Sequence, residues 1–225
     1  MEVLEAIRSR KSVRGFKPDP VPQEVIRSIL ETASRAPSTV NSQPWAFTVV
    51  TGEVMRRISQ ANIEKVAAGE TPNPEIPMIH VEGKFRERQV ENAVRLFKLM
   101  GITREDKEKR TEWDRRGYRF FDAPAAVIVS SYKEVDDLHS QFDLGLVVQT
   151  LCLAALGHGV ATCIEVQAVN FPGVIRNYTG IPESQRIVIA IALGYPDPDF
   201  PANQGQIGRE ALDNVVSWHG FNGAG

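Results

Sequence analysis

Within the run RKSVRGF, Arg10, Lys11 and Arg14 stand around the hydroxyl of Ser12. The chain then continues into Pro18, Pro20 and Pro22, which prevent a continuing helix. Side chains alternate along an extended segment, so Arg10, Ser12 and Arg14 are expected on one side of it. Two guanidinium groups flanking a hydroxyl are suited to cradle a phosphate dianion. A basic cluster of this size is equally what a solvated surface carries, so its meaning rests on what accompanies it.

Hydrophobic spacing predicts the frame that would hold this segment. Residues 2–9 read as a short amphipathic helix with Val3, Leu4 and Ile7 on one face. A second helix is expected from about Gln23 to Arg35, where Val25, Ile26, Ile29, Leu30 and Ala33 recur at helical spacing. The polar loop Ser38 to Gln43 follows, then a buried strand from Ala46 to Thr51. Further strands are expected at Ala125 to Ser131, Val160 to Glu165 and Arg186 to Leu193. A helix over Gln141 to Leu156 has almost no polar face, so it belongs at a domain centre or in a subunit interface. Strands separated by helices make an α+β or mixed α/β sandwich, here one domain over residues 1–225.

Between about Arg56 and Tyr118 the character changes. This stretch carries Pro72, Pro74 and Pro77 and the run TREDKEKRTEWDRR. It reads as surface helices and a flexible excursion, with the charge run as a solvated helical face. Phe85, Phe97, Trp113, Tyr118 and Phe120 are candidates to cover a site, and each fits a core position as well.

Composition removes several classes of function. With 26 Lys and Arg against 28 Asp and Glu, the net charge of −2 gives no bulk attraction to nucleic acid or anionic lipid. A chain of 225 residues can bury its core without disulfides. Cys152 and Cys163 lack metal-ligand spacing and are expected as buried thiols. The opening MEVLEAIRSR has no apolar core of a signal peptide, and no run reaches about 18 uninterrupted apolar residues. No membrane association and a reducing cytoplasm are therefore expected. The four histidines are scattered, no HExxH, GxSxG or Walker motif occurs, and the GHG at 157–159 precedes a strand rather than following one.

The basic cluster does not stand alone. RSRKSVRGF, PVP, a helix and APSTVNSQPW succeed one another, followed later by FFDAPAAVIVS, TCIE, ALGYP and GREALDNVVSW. In order and spacing this resembles the FMN-dependent nitroreductase family over most of the chain, with the excursion matching least. The resemblance implies an α+β sandwich: a central mixed, mostly antiparallel sheet flanked by helices, in an intertwined homodimer. It implies FMN as cofactor and NADH or NADPH as electron donor. It also implies binding roles at particular positions. Arg10, Lys11, Ser12 and Arg14 match the flavin-binding segment, the first arginine at the phosphate and Arg14 near the N1–O2 side of the ring. Pro37, Ser38, Thr39 and Asn41 match a loop that reaches the flavin held mainly by the other subunit. Gln141 matches a glutamine at the start of the buried helix, close to the cofactor. Ile164, Glu165 and Val166 match a segment beside the ring, whose backbone near Glu165 supplies an N–H to flavin N5. Gly208 and Arg209 match the C-terminal closure on the phosphate.

Two departures stand out: Val166 replaces a frequent glycine, and Ile207 stands where some members carry another cation. Read without the resemblance, Ser38, Asn41 and Pro44 are simple turn formers, Trp45 a core or interface aromatic, and Glu165 a solvated carboxylate at a strand end. The implied activity is a ping-pong transfer of electrons from NAD(P)H to a small organic acceptor such as a nitroaromatic or quinone, with no catalytic side chain. Reductive dehalogenation, ene reduction and flavin fragmentation are alternatives within the same fold. A non-catalytic flavin-binding protein is the alternative from another class.

Overall fold

The computed structural model describes residues 2–135 and 137–220; residues 1, 136 and 221–225 of the expected domain lie outside the described residues. At its centre, among the described residues, are four strands: β1 (Trp45–Thr51), β2 (Ala125–Tyr132), β3 (Ala161–Glu165) and β4 (Gln185–Gly194). Their order is β1-β2-β4-β3, and every neighbouring pair is antiparallel. Ser12 adds a parallel bridge to Thr162, and the Val13 N–H donates to the Thr162 carbonyl at 3.0 Å. The basic segment thus extends the sheet beyond β3.

The seven α-helices among the described residues are α1 (Val3–Ser9), α2 (Gln23–Ala33), α3 (Gly52–Ala67), α4 (Gly83–Leu99), α5 (Lys107–Tyr118), α6 (Leu138–Gly157) and α7 (Pro172–Thr179). Strand β2 is apolar on both faces because both are covered. Ala125, Val127 and Val129 pack with Ile26 and Ile29 of α2 and Leu144, Val147 and Leu151 of α6. Ala126 and Ile128 face the other way, toward Met55 and Ile58 of α3 and Ile175 of α7. Fully burying such a side chain contributes roughly 1.5–3 kcal/mol, so these two layers hold the sheet.

Local chemistry sets two helix ends differently from expectation. Helix α2 stops at Ala33, because Ser34 Oγ bonds the Leu30 carbonyl at 2.8 Å and the next N–H groups make tighter three-residue bonds. Helix α6 begins at Leu138 rather than Gln141. Asp137 accepts the Ser140 N–H at 2.8 Å, and its own N–H donates to Ser140 Oγ at 3.3 Å, a reciprocal cap.

The nearly all-apolar α6 is only partly covered within the chain. Leu144, Val147, Leu151, Cys152 and Ala155 are buried, but Leu138 is 87% and Phe142 69% exposed. Among the described residues it is the one helix long and apolar enough to cross a bilayer, yet Asp143 and its packing on α2 mark it as a core helix. Val3, Leu4 and Ile7 of α1 are likewise exposed. The excursion forms α4 and α5 on the surface, α4 burying Leu96 and α5 burying Gly117 and Tyr118.

Candidate functional site

The segment from Arg10 to Arg14 has a cavity at each end. The first, about 390 Å³, is lined by Arg10, Lys11, Ser12 and Arg209, with Ile207 beside them. Arg8, not singled out in the sequence, lines it too, and no carboxylate does. Lys11 Nζ donates to the Asn203 carbonyl, and the Arg209 guanidinium rests on the carbonyls of Ile207 and Gly208 at 3.0 Å each. Gly208 itself is exposed. Four cations around one open space suit a multiply charged anion.

Asn203 fixes the segment between the cavities. Its Oδ1 accepts the Arg14 N–H at 2.8 Å, while Nδ2 donates to the carbonyls of Gly15 at 2.8 Å and Asp197 at 2.9 Å. Gly15 is required by close approach: a Cβ there would lie 2.0 Å from the Phe200 ring. The sequence offered no pattern for Asn203, because its partners are backbone groups, two of them 189 and 188 residues away.

The second cavity, about 250 Å³, brings together Arg14, Ile164, Glu165 and Val166 with Leu96, Trp113, Phe121 and Gln167. Glu165 is not the solvated strand-end carboxylate of the simpler reading. It is 7% exposed, its Oε2 accepts the Ala168 N–H at 3.0 Å, and its Oε1 has no hydrogen-bond partner among the described residues. Burial pushes its carboxyl up to about 8, against the lowering effect of the Ala168 and Gln167 N–H groups. Burial likewise pushes the Cys163 thiol up to about 12, and raises Cys152, so neither buried free cysteine is a ready nucleophile.

One wall of this cavity stands on an unusual turn. Phe120, Phe121 and Asp122 have φ of 54°, 54° and 57°, a left-handed run without glycine. Such conformations cost on the order of 1–3 kcal/mol each and persist only where the surroundings enforce them. Here Asp122 accepts from Arg116 and Arg119 at 2.9 Å each, and the Ala123 N–H closes on the Phe120 carbonyl at 3.1 Å. The turn sets the Phe121 ring 5.7 Å from the Arg14 guanidinium and 6.4 Å from Trp113. Of this wall only Trp113 stood out as a candidate for cover, and the left-handed turn has no glycine to mark it.

The remaining candidates line neither cavity of their own chain. Pro37, Thr39 and Asn41 are exposed and Ser38 is half-buried, accepting the Gln43 N–H at 3.0 Å. The Thr39 N–H and Oγ1 donate to the buried Asp143 of α6 at 3.0 and 3.3 Å. Gln141 sits in the first turn of α6, half-buried. Of the five aromatic candidates from the excursion, Trp113 reaches the cavity at Glu165. Tyr118 and Phe120 are core residues instead, because α5 turns inward at its end to pack on α3 and Phe171. Phe85 is exposed, and Phe97 carries the Arg110 guanidinium 4.8 Å from its ring.

Comparison with known proteins gives a consistent picture. The model of the nitroreductase family matches residues 7–195. The chain is 33% identical over 217 residues to a nitrobenzene nitroreductase of Ectopseudomonas oleovorans, covering 95% of each. It is 32% identical to a 4-nitrobenzoate reductase of Nocardioides sp., covering 97% of this chain and 90% of the relative. A solved FMN-dependent nitroreductase from Mycobacterium smegmatis in complex with NADPH superposes with a TM-score of 0.90 at 28% identity, covering 96% of each chain.

Proposed function

The chain belongs to the nitroreductase family, and on that footing we propose that it is an FMN-dependent oxidoreductase that reduces a small nitroaromatic or quinone with NAD(P)H. The observation that carries this reading is the pair of cavities joined by residues 10–14: a cationic one at Arg10 and Arg209, and one lined by Arg14 and Val166. At about 3.3 Å per residue, Arg10 and Arg14 lie roughly 13 Å apart, room for a phosphorylated polyol chain between them. The donor set therefore fits FMN, a phosphomonoester at one end and a ring at the other.

When bound, FMN supplies the redox chemistry, taking electrons from NAD(P)H and giving them to the acceptor in turn. The residues supply binding and electrostatics. Arg10, Lys11 and Arg209 would neutralise the phosphate, with Ser12 lining the same cavity and Gly208 next to Arg209 in the chain. Arg14, Ile164, Glu165 and Val166 line the second cavity; there Arg14 would offer a cation to the N1–O2 edge and the backbone near Glu165 would supply an N–H to N5. No side chain acts as nucleophile.

We further read the protein as a homodimer. The open stripe at Leu138 and Phe142 calls for cover, and Pro37, Ser38, Thr39, Asn41 and Gln141, which line neither cavity of their own chain, are assigned to the partner's flavin. Two buried free thiols fit a reducing cytoplasm. The test is stopped-flow reduction of the purified yellow protein by NADH and by NADPH, then reoxidation by an acceptor panel under nitrogen. A colourless protein, or one whose bound flavin neither nucleotide reduces, overturns the reading.

A further inference from the structure

Helix α5 belongs to the excursion, yet it touches both walls of the cavity at Glu165. On one side Arg116 Nη2 donates to the Arg14 carbonyl at 3.0 Å and to the Phe121 carbonyl at 3.2 Å. Its Nη1 pairs with Asp122 at 2.9 Å, and the guanidinium lies 4.9 Å from the centroid of the Phe200 ring. One planar fork thus holds the main chain of two residues whose own side chains, Arg14 and Phe121, meet at 5.7 Å inside the cavity. On the other side Gln167 Nε2 donates to Asp114 Oδ1 at 2.8 Å and to the Asp114 carbonyl at 3.2 Å. Gln167 directly follows Val166. Gly117 lets the helix come this close, since a Cβ there would lie 1.9 Å from Gln167 Oε1.

We propose that α5 is a two-point clamp, in which Arg116 and Asp114 are positioning residues that set the places of Arg14 and of the Val166 backbone against the flavin. The inference rests on the FMN reading above and goes beyond it: a segment expected to cover the site governs the redox poise of the cofactor. Arg14 is aimed by a bond to its own carbonyl, so a cation on the excursion decides how closely another cation approaches the N1–O2 edge. A cation there favours the reduced, anionic ring, so loosening it lowers the flavin's reduction potential.

The discriminating variant is Arg116→Lys in the holoprotein. Lysine keeps the charge facing Asp122 but, as a point donor, cannot span both carbonyls as well. The midpoint potential is measured by dye equilibration under nitrogen, together with the melting temperature and FMN release on ultrafiltration. Binding of the reduced flavin should weaken about tenfold more than that of the oxidised flavin, which for a two-electron couple lowers the potential by about 30 mV. Gln167→Ala, which removes the second point, should shift the visible spectrum of bound FMN and its potential, and it decides the matter should Arg116→Lys not fold. A lower melting temperature with potential and spectrum unchanged in both variants gives α5 a merely structural role and overturns the proposal. A parent protein without bound FMN would instead sink the reading of the whole site, and the clamp with it.

Discussion

The buried carboxyl of Glu165 accepts the Ala168 N–H at 3.0 Å and so ties the end of β3 to the turn at Gln167–Val169. Its pKa is raised from 4.5 to about 8 by burial, so the folded state keeps a proton that the unfolded chain releases above about 4.5. The stabilisation from this proton is fully present below 4.5 and is lost as pH rises through about 8. Glu165→Gln removes the dependence. Relative to parent, the variant should gain stability by roughly 1 kcal/mol per pH unit between pH 5 and 8. Urea unfolding at several pH values checks this; parallel stability profiles for the two proteins would mean that Glu165 does not hold the proton.

Arg10→Ala and Arg209→Ala should each weaken FMN retention by roughly 10- to 100-fold, the worth of one charge-assisted hydrogen bond. Release of flavin on ultrafiltration measures it. If both variants hold FMN as tightly as the parent, the phosphate does not sit in the cationic cavity.

Asn203 makes three bonds to backbone groups around the same segment. Asn203→Ala leaves those groups unpaired, at a cost of about 1–3 kcal/mol each where they stay buried. Gly15→Ala drives a methyl into Phe200 and should destabilise comparably. Both should melt several degrees below the parent. An Asn203→Ala protein that melts like the parent would show that water replaces the side chain.

Phe142→Glu places a charge on the exposed stripe of α6. On the dimer reading it should raise the dissociation constant about 100-fold, the cost of desolvating an unpaired polar group at an interface. Sedimentation at low micromolar concentration distinguishes the outcomes. A parent that sediments as a stable flavin-loaded monomer removes the basis for assigning residues 37–41 to a partner's site.

Trp113 and Tyr118 lie on one helix but should behave differently. Trp113→Ala, at the cavity wall, should alter acceptor KM and kcat several-fold with FMN still bound. Tyr118 is 7% exposed and stacks on Phe171 at 6.2 Å, so Tyr118→Ala should cost about 3–5 kcal/mol of stability. Steady-state kinetics and thermal melts on the two variants test this division, and an unchanged acceptor ranking in Trp113→Ala would count against a wall role.

What the sequence determined is what local spacing can encode. Helical recurrence of Ile26, Ile29 and Ala33 marked α2, the β-branched run at Ala125 marked β2, and the clustered cations marked the segment at Arg10. The ordered motifs from RSRKSVRGF to GREALDNVVSW carried the family, since a cofactor pocket draws on short segments in fixed order. The tertiary structure alone decided the rest. Glu165 is buried because α5 and the turn after β3 close over a strand end that, by sequence, looked solvated. Phe120 is core, not cover, because a left-handed turn held by Arg116 and Arg119 folds it inward, and Tyr118 is core because the end of α5 packs on α3 and Phe171. Asn203 and Arg116 act on carbonyls 188 and 102 residues away, and main-chain partners leave no trace in side-chain spacing. A sequence specifies which groups are present; which desolvated groups face one another depends on long-range packing, and that packing sets their energies.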